Sequence, residues 1–217
     1  MLEFDEDSGL WFRPDTSDRF VLNEIFIADV YDLSRFNNLS CVIDLGGNIG
    51  AFSYRIASLF PNCVITALEP EPDNFSVLKE NCFNIENINL INKAVWSHSD
   101  GVEIVPDYGG SSVWENSKSP DSIFVESIAF DELLEKFDHV DLMKTDIEGA
   151  EVEAFLSASP DSLMKIDNIV GEFHGYDSRW GDWVRYLGGF FELNIIPHQY
   201  PHHIYGGMFF GVKREFI

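Results

Sequence analysis

The run Cys41-Val42-Ile43-Asp44-Leu45-Gly46-Gly47-Asn48-Ile49-Gly50 ends an apolar stretch in an acid and a glycine turn, and Glu69-Pro70 ends the next apolar stretch 25 residues beyond Asp44. A glycine-rich strand-to-helix turn lets backbone come close to a ligand, at the carboxyl ends of the strands of an open α/β sheet. The dinucleotide fingerprint G-x-G-x-x-G is not met, because Asn48 stands where its second glycine would fall. A carboxylate at Asp44 would repel a pyrophosphate but suits an ammonium group. Glu69 is placed to accept hydrogen bonds from both hydroxyls of a ribose. S-Adenosylmethionine meets both demands, with the helix entered at Gly50 supporting its carboxylate. In the plainer alternative, Gly46 and Gly47 only turn the chain, Asp44 caps a helix and Glu69 is a surface acid.

A second group, Asp146, Glu172 and His174, falls at the ends of two later apolar runs. Methyl transfer from a sulfonium is an in-line displacement that needs an aligned acceptor and a place for its proton. His174 or Glu172 is the expected general base, with Asp146 orienting acceptor or cofactor. A less favoured reading has the three hold a divalent cation, magnesium or calcium rather than zinc given the oxygen-rich set; no metal is the preferred expectation. Asp146 could instead cap a helix beginning at Ile147, and His174 could merely hold a loop. Lys144, inside the run before Asp146, is expected to pair with a buried acid. His198, His202 and His203 lie in a proline-interrupted segment that reads as a solvated connection.

The elements that must position these groups alternate in period. Strands are expected over 41–45, 64–68, 88–91, 140–145, 169–173, 191–196 and 208–212, and helices over 20–35, from Gly50 to Phe60, 73–84, 131–137, 148–156 and 178–187. Asp73 reads as an N-cap. Trp180, Trp183 and Tyr186 share a helix face that should pack on the sheet. Strands alternating with helices imply a mostly parallel α/β sheet with helices on both faces, and a last strand reached without a helix implies an antiparallel edge hairpin. One domain is expected over 1–217: an N-terminal arm and helix over 1–38, then a core over 39–217 with a loop-rich insertion at 96–130 around short extended pieces near 102–105 and 123–127. Ser111, Ser112 and Trp114 are lid candidates within that insertion by position.

The chain has 217 residues, 14 basic against 37 acidic, for a formal net charge of -23. Such a surface lacks the basic footprint that nucleic acid or an anionic membrane demands. The acidity also serves solubility. Cys41, Cys63 and Cys82 have no metal-like spacing and read as reduced thiols of a cytoplasmic protein. The acidic start of the chain is unlike a signal peptide, and no apolar run is long enough to span a membrane. Oligomeric state leaves no signal in the sequence.

From about residue 18 to 212 the chain resembles the FkbM-type methyltransferases, a branch of the seven-stranded, Rossmann-like class I fold. The resemblance is carried by Arg19-Phe20-Val21-Leu22-Asn23-Glu24-Ile25-Phe26 leading to Tyr31, by Val42 to Gly50, by Leu68-Glu69-Pro70 and by Asn92-Lys93-Ala94-Val95. Its most specific part is Val140-Asp141-Leu142-Met143-Lys144-Thr145-Asp146-Ile147-Glu148-Gly149-Ala150-Glu151, followed by Glu172-Phe173-His174. Gly47 replaces a usual alanine, and Thr145 an aliphatic residue. The resemblance implies S-adenosylmethionine held by Asp44, Gly46, Asn48, Gly50, Phe52, Glu69, Pro70 and Ala94. It also implies methyl transfer to oxygen on a small molecule or a sugar. An RNA ribose methyltransferase and a non-catalytic cofactor-binding module are the alternatives; charge disfavours the first, and the intact Asp44, Glu69 and Asp146 disfavour the second.

Overall fold

Apolar runs such as Cys41–Leu45 and Val64–Leu68 have almost no polar face, so as strands they need cover on both sides. The computed structural model describes residues 1–106, 112–113, 120–174, 179–197 and 206–215. Among these, seven strands build one sheet: β1 (Cys41–Leu45), β2 (Val64–Leu68), β3 (Ile88–Ile91), β4 (Val140–Thr145), β5 (Ile166–His174), β6 (Phe191–Pro197) and β7 (Gly206–Lys213). Their spatial order is β6-β7-β5-β4-β1-β2-β3. β7 is antiparallel to β5 and β6, and the remaining pairs are parallel. All seven expected strands are present, with the antiparallel hairpin at the edge. The strand order reverses between β1 and β4, which opens a crevice at their carboxyl ends.

Seven α-helices accompany the sheet among the described residues: α1 (Asp18–Asn23), α2 (Ala51–Leu59), α3 (Pro72–Cys82), α4 (Phe130–Leu134), α5 (Glu151–Ser157), α6 (Pro160–Leu163) and α7 (Trp180–Gly188). Alternate strand residues supply two cores, as the two-residue period of a strand requires. Ile43, Leu45, Met143 and Ile169 pack with Phe130, Phe155 and Trp183. Val42, Ile65, Leu142 and Val170 pack with Leu22, Ile25 and Ile56. Trp183 is fully buried, stacks on Trp180 at 4.5 Å and donates its indole N–H to the Glu151 carbonyl oxygen at 3.2 Å. Tyr186 donates to the Ala158 carbonyl oxygen at 2.6 Å, so this helix face packs as its spacing predicts. The three cysteines are free thiols, and burial pushes Cys63 and Cys82 up to about 12.

Three expectations are corrected. The helix over 20–35 is shorter: α1 passes into a π-helical turn over Glu24–Ala28 and stops at Asp29, whose φ of 46° is left-handed; a separate 3-10 turn covers Leu33–Arg35. The cap of α3 is Glu71, not Asp73. Pro72 takes the first helical position, and the Glu71 carboxylate accepts from the Asp73 and Asn74 N–H groups at 3.0 and 2.6 Å. The helix expected from Glu148 begins at Glu151, because Glu148 and Gly149 have φ of 52° and 102°. Within 96–130 the extended pieces expected near 102–105 and 123–127 are present among the described residues. Val102–Val105 pairs antiparallel with Ile123–Val125 and with Ser112–Val113, and Ala94–Trp96 pairs parallel with Ser127–Ala129. Ala94, Trp96, Val102, Ile104 and Val125 pack it onto Ala150.

Ser111, Trp114, the side chain of Ser112, and His198, His202 and His203 lie outside the described residues. No helix among the described residues is long and apolar enough to cross a membrane.

Candidate active site

The turn after β1 is built by close backbone approach. Gly46 has φ of 80°, and a Cβ there would sit 1.9 Å from the Asp146 carbonyl oxygen, so only glycine lets the β1 and β4 ends meet. Asn48 adopts a left-handed φ of 47°, which asparagine tolerates, and its side-chain oxygen accepts from the Ile49 N–H at 2.7 Å. The Asn48 N–H in turn donates to Glu69 Oε2 at 2.8 Å, while Glu69 Oε1 accepts from the Glu71 N–H at 2.9 Å. Glu69 is only 4% exposed, and burial pushes its carboxyl up to about 7, against these backbone donors and Lys144.

Around this turn lies a cleft of about 420 Å³, within the range of small-molecule sites. Gly46, Asn48, Phe52, Glu69, Pro70, Ala94, Asp146, Glu172 and His174 line it, so nine of the expected site residues converge on one space. Asp44 and Gly50 stand behind that lining. Asp44 is fully buried; its Oδ2 accepts from Ser53 at 2.7 Å, and its Oδ1 lies 3.2 Å from Lys144 Nζ. Lys144 itself reaches the cleft, pairing with a buried acid as expected.

At the ends of β4 and β5 the lining turns acidic. Asp146 does not cap a helix: its Oδ2 accepts the Tyr31 hydroxyl at 2.9 Å, and its Oδ1 is buried without a hydrogen bond. Burial, then Asp146, keeps the Tyr31 phenol protonated well above its ordinary range. His174 Nδ1 lies 3.2 Å from Glu151 Oε1, and Nε2 lies 3.1 Å from Glu148 Oε2 and 3.9 Å from Glu172 Oε1. Burial alone would push the imidazole down, but Glu151, Glu148 and Asp146 hold it up to about 11. Burial and then Asp146 push Glu172 and Glu24 up to about 7 and Glu148 up to about 8, with His174 pulling Glu172 and Glu148 back down. Asp146, Glu148 and His174 are close enough together to share a cation.

Sequence reasoning missed Glu24, Tyr31, Glu148 and Glu151. Glu148 and Glu151 belong to the run ending β4, but their residue types alone read as first-turn acids suited to the helix dipole. Glu24 is one of the polar members of a largely apolar helical run, and nothing in its residue type marks that it begins a π-helical turn and lines the cleft.

The methyltransferase FkbM domain family matches residues 44–200. Methyltransferase 1 of Beauveria bassiana (strain ARSEF 2860) is 27% identical over 184 residues, 70% of this chain and 72% of that protein. Among solved structures, precorrin-6y C5,15-methyltransferase of Geobacter metallireducens GS-15 is similar with a TM-score of 0.57 at 14% identity, covering 98% of this chain and 100% of that one. An rRNA methylase of Streptococcus thermophilus is similar with a TM-score of 0.55 at 12% identity, over 88% and 96%. At these identities the structures speak for the fold alone, while the family match covers most of the chain and contains both the glycine turn and the acidic strand ends. The chain therefore belongs to the FkbM methyltransferase family and is an S-adenosylmethionine-dependent methyltransferase.

Proposed function

We propose that this protein methylates a hydroxyl of a small molecule or sugar, with Glu172 as general base and Asp146 orienting the acceptor. S-Adenosylmethionine supplies an electrophilic methyl group. The residues of the cleft fit it: Glu69 uses one site on each oxygen for a backbone N–H and keeps others for ribose hydroxyls. Gly46 and Gly47 offer bare backbone, and Phe52, Pro70, Leu68, Ala94 and Val95 supply apolar wall for a base. Asp44 acts through Lys144 and Gly46, holding the turn rather than touching the ligand, and Gly50 opens α2 behind it.

The observation that carries the acceptor reading is Asp146 Oδ1, a buried acceptor with no hydrogen bond, in the same lining as Glu172. A buried lone pair left open is costly, and a second hydroxyl of a polyol or sugar acceptor is the donor that would satisfy it, which leaves the proton of the reacting hydroxyl to Glu172. Glu172, held near neutrality, then takes the proton as the oxygen–carbon bond forms. His174 is already protonated and faces carboxylates at both nitrogens, so its part is to stabilise the charge on Glu172. No metal is needed for this proton transfer.

The acidity of the chain favours a neutral acceptor over a nucleic acid. The net charge of -23 would oppose the approach of a phosphate backbone. Incubation of the protein and methyl-labelled cofactor with metabolite extract and, separately, with total RNA tests this. Label in the small-molecule fraction is expected; label confined to RNA would refute the proposal.

A further inference from the structure

Glu151 is 0% exposed in the first turn of α5 and does not line the cleft. A carboxylate so buried must have its lone pairs filled, and this one is filled from two directions. Oε1 accepts from the Ile147 N–H at 3.0 Å and meets His174 Nδ1 at 3.2 Å; Oε2 accepts from the Gly149 N–H at 3.0 Å. The two amides belong to the left-handed loop that carries Asp146 and Glu148, whereas His174 ends β5 beside Glu172. One side chain thus ties together the two strand ends that supply the proposed chemistry.

An ionised carboxylate only accepts, so the Glu151 contact places a proton on Nδ1. The other ring nitrogen then points at Glu148 and Glu172. We infer that Glu151 is a positioning residue for the reaction: its Oε1 holds His174 Nδ1 and so turns the other ring nitrogen, Nε2, toward Glu148 and Glu172 beside the proposed base. Among the described residues, the charges around that ring come from several elements: Asp146 and Glu148 from the loop after β4, Glu151 from α5 and Glu172 from β5. Glu24 on the N-terminal helix acts on Glu172, Tyr31 donates to Asp146, and Lys144 counters Glu24. The link to Glu172 as base rests on the function proposed above; the hold of Glu151 on His174 does not.

Ring-labelled ¹⁵N-histidine spectra of the full chain, titrated with pH, test the inference. In the wild type His174 is expected to stay protonated beyond about pH 8, and Glu151→Gln is expected to lower its midpoint by about two pH units. A wild-type midpoint at the ordinary histidine value overturns the inference, as does an unchanged midpoint in Glu151→Gln. A purely structural Glu151 would lower stability and leave the ring titration where it was. If Glu151→Gln does not fold, Glu151→Asp, which keeps the charge but withdraws it, should give a smaller drop, and an unchanged midpoint there overturns the inference equally. Calorimetry of the wild type with S-adenosylhomocysteine, run alongside, reports on the functional reading separately: absent binding would sink that reading without moving the ring titration.

Discussion

Lys144 Nζ lies 3.2 Å from Asp44 Oδ1 and donates to the Gly46 carbonyl oxygen at 2.6 Å. The ammonium joins adjacent strands β1 and β4 at the point where the strand order reverses, and it pins the glycine turn from beneath. The attraction of Asp44, Asp146 and Glu69 holds the lysine charged despite the opposing cost of its burial. Asp44 is thereby committed inside the protein, and in the proposed function the cofactor is held by Glu69 and the turn backbone.

Removing one partner of this pair leaves the other charge buried. Lys144→Met should destabilise the protein by about 3–5 kcal/mol in urea denaturation, and adding Asp44→Asn should recover part of that loss. Equal stability of the single and double variants would show that the pair is not coupled.

The core beneath the site is expected to be sensitive to volume. Trp183→Ala removes a fully buried ring in contact with Phe155, Trp180 and Phe209, and should cost about 3–5 kcal/mol of unfolding free energy. A loss below about 1 kcal/mol would mean that α7 is not packed as described.

Stability should fall as pH rises from about 5.5 to about 8.5. Glu24, Glu69, Glu148 and Glu172 hold their protons to about 7 or 8 in the fold against a value of 4.5 unfolded. His174 holds its proton to about 11 against 6.5. In both windows the folded state binds more protons, so each contribution is full below the unfolded value and is lost as pH climbs through the folded one. Urea midpoints at the two pH values check the sign; a higher midpoint at alkaline pH would contradict it.

The acceptor chemistry predicts a division of effects. Glu172→Gln should lower turnover at least about a hundredfold, the scale of a lost general base, with cofactor affinity near wild type. Product formation by mass spectrometry and binding by calorimetry separate the two quantities, and undiminished turnover would remove Glu172 from its role.

Much of the fold was legible because period-two and helical patterns change sharply at Gly46, Pro61 and Pro70. The residues of the cleft were legible where a residue type is unusual for its place, as Glu69 is at a strand end. Legibility failed where long-range geometry decides. Asp44 reads as a ligand contact, and no spacing shows that Lys144, 100 positions further on in the adjacent strand, pairs with it. The start of α5 could not be read because Glu148 takes a left-handed φ only with Glu151 reaching back to Ile147 and Gly149. His174 lines the cleft at the end of β5, as its place in the sequence suggests, but its charge depends on three acids whose approach no spacing reveals.

The central claim is that the cleft binds S-adenosylmethionine through the buried carboxylate of Glu69. Isothermal titration of wild type and Glu69→Gln with the cofactor tests it most directly. One site per chain is expected in the wild type, with binding weaker by about tenfold or more in the variant, as the loss of charge-assisted hydrogen bonds requires. Equal affinity in the two proteins would contradict it.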